Sequence, residues 1–201
     1  MTDNIKIDSN FKTKNILLKL KDIHENSPHN KYWNISWNLG IELSNLIKLH
    51  SPKNILEIGT SNGFSTLWMA KEIKKNAKIT TIEIDSKRFE EAKFNFQETN
   101  TDENIVQING DVFDILSKIT ANNLDIEFDF IFLDAAQRRY LDLIKIIEKQ
   151  KLLSKNAIIV ADNVISHNNM GEFLEYMQRN YDCRTLTIDS GFLIAKKFAY
   201  E

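Results

Sequence analysis

The sequence predicts an α/β fold: a doubly wound, mostly parallel sheet of seven strands, the last antiparallel, with an N-terminal helical cap. Three observations predict it. From residue 54 onward, short and nearly continuous apolar runs alternate with segments of helical periodicity, the pattern of a parallel sheet covered on both faces. The first of these runs, 55–58, breaks at Gly59 into the small-residue turn Thr60-Ser61-Asn62 and reopens at Gly63 as a helix. That strand–turn–helix layout builds a nucleotide pocket at a helix N-terminus. The chain then finishes in two β-rich runs joined at Asp189-Ser190-Gly191, close enough for a hairpin.

Taken in order, the residues up to about Asn10 read as a polar, frayed arm. Over 11–25, Ile16, Leu17, Leu20 and Ile23 fall at helical spacing. A loop over 24–30 follows, broken by Pro28, and Trp33, Ile35 and Trp37 lead into a second helix over 39–49. Ser51-Pro52 ends that helix. Strands are expected over 55–58, 78–84, 105–108, 128–133, 157–161, 184–188 and 192–196. The helices between them are expected over 63–75, 86–99, 112–119, 137–150 and 171–179, with Ser86 as the cap of the second. No internal repeat, low-complexity tract or linker divides the chain. One domain is therefore expected over 1–201, a cap segment over 1–50 and a pocket-bearing core over 51–201.

Composition narrows the class. A chain of 201 residues can bury a proper core, and a net charge of −2 gives no electrostatic footprint for nucleic acid. The one cysteine, Cys183, cannot form an internal disulfide, which fits a reducing, cytoplasmic setting. The N-terminus lacks the apolar core of a signal peptide, and no stretch approaches a membrane span.

Three acids stand where strands end: Glu57 before the glycine turn, Glu83 near the end of the second strand, and Asp111 after the third in Asn109-Gly110-Asp111. Any one alone is more simply a solvated acid; three in register with a small-residue turn suggest a site. Glu83 lies about 20 residues past the turn, where a carboxylate accepts both hydroxyls of a ribose. Asp111, or the backbone beside it, can hold the exocyclic amine of an adenine. The dinucleotide fingerprint requires glycines where Ser61 and Phe64 stand, and Glu57 would repel a pyrophosphate. S-adenosylmethionine, with a sulfonium and an ammonium in place of phosphates, removes both objections.

The segment from about Ile35 to Lys197 resembles the class I S-adenosylmethionine-dependent O-methyltransferases of the catechol and caffeoyl-CoA type. The matching residues are Glu57-Ile-Gly-Thr-Ser-Asn-Gly-Phe-Ser65, Thr81-Ile-Glu-Ile84, Asn109-Gly-Asp111, Phe130-Ile-Phe-Leu-Asp-Ala135 and Ala161-Asp-Asn-Val164. Each motif alone is weak, and their combination is specific. The resemblance implies a Rossmann-like methyltransferase sheet. It implies cofactor contacts at Ile35, Glu57, Gly59, Thr60, Ser61, Gly63 and Ser65, and at Glu83, Ile84, Asp111, Val112 and Asp134. Asn34-Ile35 and Gly40 look like the family segment that covers the cofactor, with Trp33 beside it as a lid. Relatives are commonly homodimers, so a homodimer is the partner state the resemblance suggests.

In the family's strand order Asp134 and the pair Asp162-Asn163 end neighbouring strands. Two carboxylates and an amide carbonyl form a hard-oxygen set suited to Mg²⁺, Ca²⁺ or Mn²⁺. The family holds its divalent metal at the matching positions, chelating two vicinal oxygens of the acceptor. The alternative is that Asp134-Ala-Ala-Gln137 is a capping-box analogue and that Asp162 and Asn163 shape a loop. The departure from the family is Gln137, where many relatives carry a lysine; glutamine has no basicity. Either the metal alone activates the hydroxyl or another group moves the proton, and His167 is the candidate base. His24, His29 and His50 show no ligand spacing, and Trp37 reads as packing.

The leading function is methyl transfer from S-adenosylmethionine to a hydroxyl of a small, catechol-like acceptor, with Asp134, Gln137 and His167 at the reacting end. A tRNA hydroxyuridine methyltransferase is the second reading, opposed by the acidic balance and the missing lysine. A non-catalytic S-adenosylmethionine-binding module is the third, motivated by Gln137.

Overall fold

The computed structural model describes residues 2–26, 34–121, 126–165 and 170–198. Seven strands form one sheet: β1 (Asn54–Ile58), β2 (Lys78–Glu83), β3 (Ile105–Asn109), β4 (Phe128–Leu133), β5 (Leu153–Asp162), β6 (Tyr181–Leu186) and β7 (Phe192–Lys197). Their order is β3-β2-β1-β4-β5-β7-β6, and β7 alone runs antiparallel to its neighbours. The chain winds outward from β1 to β3 and then returns to lay β4 on the other side of β1. The sheet edge at β1 and β4 is therefore the switch point where open α/β sheets leave a crevice.

Side-chain alternation divides the core into two layers. Leu56 and Ile58 face the layer built with α5 (Val112–Ala121), α6 (Tyr140–Lys149) and α7 (Gly171–Asn180), where Leu116, Leu143, Ile147 and Met177 are buried. Ile55 faces the other layer, covered by α1 (Thr2–Asn26), α2 (Trp37–His50), α3 (Phe64–Ala70) and α4 (Ser86–Glu98). The N-terminal cap is thus part of a core layer: Leu17, Leu20, Leu39 and Leu43 share a cluster with Phe64, Trp68 and Phe96.

Several elements differ from expectation for identifiable reasons. Residues 2–10 are helical, not a frayed arm, because no breaker precedes Pro28 and the helix propagates back from its buried stripe. Asp85, not Ser86, caps α4: its Oδ1 accepts from the N–H groups of Lys87 (2.8 Å) and Arg88 (3.1 Å). Ser86 turns instead to Asn109 Oδ1, at 2.9 Å. Helix α3 stops at Ala70, five residues early, and the turn after it brings Glu72 against Ser44 and Lys48 of α2. Residues Gln137–Arg139 form a 3₁₀ turn preceded by Ala136 with no side-chain cap, so Asp134 does not close a capping box. Strand β6 begins at Tyr181, earlier than expected, because the buried ring donates its hydroxyl to Glu148 of α6.

Glu57 is a fully buried acid in the central strand. It lies on the same face of β1 as Ile55, beneath the start of α3. Ser65 Oγ donates to its Oε1 at 2.6 Å, and Thr66 and Thr81 donate to Oε2 at 2.5 and 2.6 Å. Thr60 adds a further link through the hydroxyl of Thr81, at 2.6 Å. Burial pushes the carboxyl up to about 7; the three hydroxyls oppose that rise and Glu83 adds to it. The folded state therefore holds this proton more tightly than the unfolded chain, whose carboxyl titrates near 4.5. Its contribution to stability is fully present below that lower value and is lost as pH rises through about 7, on the order of 3 kcal/mol. Glu57→Gln, which cannot ionise, is expected to flatten the fall in urea-unfolding stability between about pH 5 and pH 8. Equal slopes in the two proteins would show that Glu57 is not the buried titrating group.

Candidate active site

A cavity of about 1050 Å³ opens at the carboxyl ends of β1, β2, β4 and β5. Gly59, at the end of β1, has φ +103°, and a Cβ there would stand 1.9 Å from the carbonyl oxygen of Asp134. Asp134 N donates to Ile58 O at 2.9 Å, and Gly59 N donates to Ile82 O at 3.0 Å. The turn after β1 is thereby fixed against the ends of both flanking strands. Gly63, with φ +87°, opens α3 where a Cβ would meet Phe96 at 2.5 Å.

Glu83 lies at one side of this cavity, buried, its two oxygens pointing to different loops. Oε2 accepts from Ser61 N and Oε1 from Asp85 N, each at 2.8 Å. Each oxygen keeps a lone pair, so the carboxylate can accept two more donors such as a vicinal diol. Ile84, Gly110 and Val112 continue the wall, and Ile84 is exposed, an apolar side chain with little but the cavity beside it.

At the other side Asp134, Asp162 and Asn163 converge on the same space. β4 and β5 pair in parallel up to Leu133 and Ala161, which sets the two aspartates side by side. Burial raises the carboxyl of Asp134 well above the usual range, and the charges of Asp162, Glu57 and Glu83 raise it further. Burial also lifts Asp162 to about 6, against the N–H of Asn163 and with the charge of Asp189 adding to the rise. Asn163, in a left-handed conformation at φ 61°, donates N to Asp162 Oδ1 (2.8 Å) and Nδ2 to Oδ2 (3.0 Å). No ion pair with either aspartate occurs among the described residues. Two crowded carboxylates and an amide, with no ion pair to either carboxylate among the described residues, fit a divalent cation by donor chemistry. Among the described residues no three His, Cys, Asp or Glu side chains come together as a metal site, so the candidate oxygen donors here are the two carboxylates and the amide of Asn163.

The expected cofactor residues divide into two groups. Ile35, Gly59, Ser61, Glu83, Ile84, Val112 and Asp134 line the cavity, as does Gln137. Glu57, Thr60, Gly63 and Ser65 do not line it. They form the hydrogen-bonded and packed support beneath the turn, so the sequence-based view of Glu57 as a ligand-facing acid is corrected by its three hydroxyl donors. Asp111 is engaged elsewhere: Arg139 holds its carboxylate with Nη1 and Nη2, and this holds it below the usual range. Gly40 packs against the Trp68 indole inside α2. Trp33 and His167 lie outside the described residues.

Other lining residues carry polar groups aimed into the protein. Among the described residues His24, which the sequence reading set aside, has a buried Nδ1 with no partner, and Asn34, which it placed in the segment over the cofactor, has a buried amide with neither atom bonded. The phase of α1 carried a signal for His24, which falls on the stripe of Leu17 and Leu20. Ser36 lines the cavity as well as capping α2 through Leu39 N at 3.1 Å. Asp189 and Ser190 enter because the hairpin loop folds back, with Ile165 N donating to Ser190 O at 2.8 Å.

Comparison with known proteins gives a consistent result. The O-methyltransferase family model matches residues 7–187. A catechol O-methyltransferase of Niastella koreensis is 35% identical over 131 residues, covering 65% of this chain and 58% of that protein. One of Mycobacterium tuberculosis is 31% identical over 113 residues, covering 56% and 49%. The match thus spans about half the length of these curated relatives. The crystal structure of an O-methyltransferase from Bacillus cereus in complex with SAH superposes with a TM-score of 0.79 at 26% identity, covering 92% of this chain and 90% of that one.

Proposed function

Because the chain belongs to the O-methyltransferase family, we propose that it transfers the methyl group of S-adenosylmethionine to a hydroxyl oxygen of a small, catechol-like acceptor, assisted by a divalent cation. The observation that carries this reading is that one cavity joins a carboxylate with two free lone pairs, Glu83, to the uncompensated pair Asp134 and Asp162. The similarity to proteins named catechol O-methyltransferase supports the acceptor class.

Glu83 takes the two ribose hydroxyls while its own backbone donors, Ser61 and Asp85, keep it from rotating. The bare backbone of Gly59 and the turn at Ser61 let the ligand approach the sheet edge closely. Ile84 and Val112 offer apolar walls to a nucleobase, and Ile35 and Asn34 close the cavity from the cap. Asp134 favours the cationic end of the ligand, where a sulfonium and an ammonium meet its charge.

Asp134, Asp162 and Asn163 would hold the cation, which when bound lowers the pKa of the acceptor hydroxyl and offsets the carboxylate repulsion. Gln137 hydrogen-bonds and orients but cannot take a proton. Methyl transfer is a direct displacement, so the residues contribute mainly position and alignment.

Glu83→Ala is expected to weaken SAH binding roughly a hundredfold or more by calorimetry, since two charge-assisted bonds are lost. Unchanged affinity would remove the pocket assignment. Asp162→Ala is expected to abolish Mg²⁺-stimulated methyl transfer to a catechol panel while SAH affinity stays within about threefold. Equal turnover in chelator by the unsubstituted protein would argue against the cation. SAH binding with no turnover on any hydroxylated acceptor would instead favour a non-catalytic binding module.

A further inference from the structure

Arg139 ends the 3₁₀ turn after β4, yet its side chain crosses to the loop after β3. Nη1 and Nη2 donate to Asp111 Oδ2, both at 3.0 Å, and Nη2 also reaches Oδ1 at 3.2 Å. The guanidinium carbon lies 4.3 Å from the centroid of the Phe113 ring. Phe113 N in turn donates to Asp111 Oδ1 at 2.8 Å. The fork geometry and the ring together fix the plane of the guanidinium as well as its position.

Asp111 is saturated by this arrangement. A carboxylate offers about four lone-pair directions, and the three guanidinium bonds and the Phe113 N–H fill them. The acid that the sequence places at the nucleobase end is thus not free to accept an exocyclic amine. A half-exposed ion pair adds little to stability, so stability alone gives no reason for a guanidinium this constrained. It remains part of the cavity lining, on the same wall as Gly110 and Val112.

We propose that Arg139 is a nucleobase-positioning residue: held flat by Asp111 and backed by Phe113, its guanidinium forms the rim against which the purine of the bound nucleoside rests. The inference depends on the S-adenosylmethionine reading above. Guanidinium planes stack well on aromatic faces, and a purine presents the same kind of face as Phe113 does. Asp111 acts through Arg139, leaving the purine amine to backbone acceptors.

The test is calorimetric titration of the whole protein with SAH and with adenosine. Arg139→Gln is expected to weaken both ligands by about tenfold and by the same factor, because the loss lies in the nucleoside half. Arg139→Lys keeps the charge and loses the planar face, and is expected to rescue little of that loss. Asp111→Asn gives a smaller loss, and the double variant binds no worse than Arg139→Gln alone. A larger loss in Asp111→Asn than in Arg139→Gln, or losses that add, would mean that Asp111 reads the amine directly and would overturn the proposal. So would a lowered melting temperature with both affinities unchanged, which is the signature of a purely structural pair. If the unsubstituted protein binds no SAH, the cofactor reading itself fails, and that result is distinct from a failure of Arg139 alone.

Discussion

A carbonyl oxygen stands almost where the β-carbon of residue 59 would be. That overlap, 1.9 Å between an added Cβ and Asp134 O, is the constraint on which the site depends. Only glycine lets the turn after β1 lie directly on the end of β4, and φ +103° adds a second reason for glycine there. The close approach places Ser61 over Glu83 on one side and the Asp134 carboxylate on the other. The switch point in the strand order creates a crevice, and Gly59 decides how narrow its floor is.

The same narrowness crowds negative charge. Glu57, Glu83, Asp134 and Asp162 belong to the four strands around that floor, and each raises or meets the field of another. The fold treats them differently. Glu57 has three hydroxyl donors and no solvent; Glu83 has two backbone donors and an open side; Asp134 and Asp162 have burial and crowding, and Asn163 donates to Asp162 alone. A carboxylate pair left in that state favours a cationic ligand, and one nearby guanidinium, that of Arg139, is already committed to Asp111.

Much of this was legible in the sequence because it depends on periodicity and on glycine. Alternating apolar runs predicted all seven strands and the antiparallel ending, and Gly59 and Gly63 marked the turn. What the pattern did not carry was how far each acid stands along its strand. Glu57 and Glu83 share a face of the sheet, but Glu57 pairs with Thr81 and is covered by Ser65 and Thr66, whereas Glu83 lies one residue past the last β1–β2 pair, Ile58 with Ile82, and reaches the cavity. Long-range partners were equally hidden. Arg139 and Asp111 are 28 residues apart, and nothing local shows that the guanidinium crosses from one loop to the other. Asp189 and Ser190 enter through a hairpin whose fold-back onto Ile165 is a tertiary event.

The position of Glu57 also changes the reason a phosphate is excluded. From the sequence the argument was repulsion between a ligand-facing carboxylate and a pyrophosphate. A buried carboxyl pushed up to about 7 carries only part of a charge near neutral pH, so direct repulsion is weakened. What replaces it is occupation. Phosphate sites at helix N-termini use donors of the first turn, here those of α3. The hydroxyls of Ser65 and Thr66 are already given to Glu57, and Phe64 N donates to Asn62 Oδ1 at 3.3 Å. Two hydroxyls and one N–H of that first turn thus already have acceptors within the protein. On the proposed reading the turn receives a nucleoside through Glu83, with the cationic part of the ligand directed toward Asp134, and donors already used add to charge in disfavouring a phosphate.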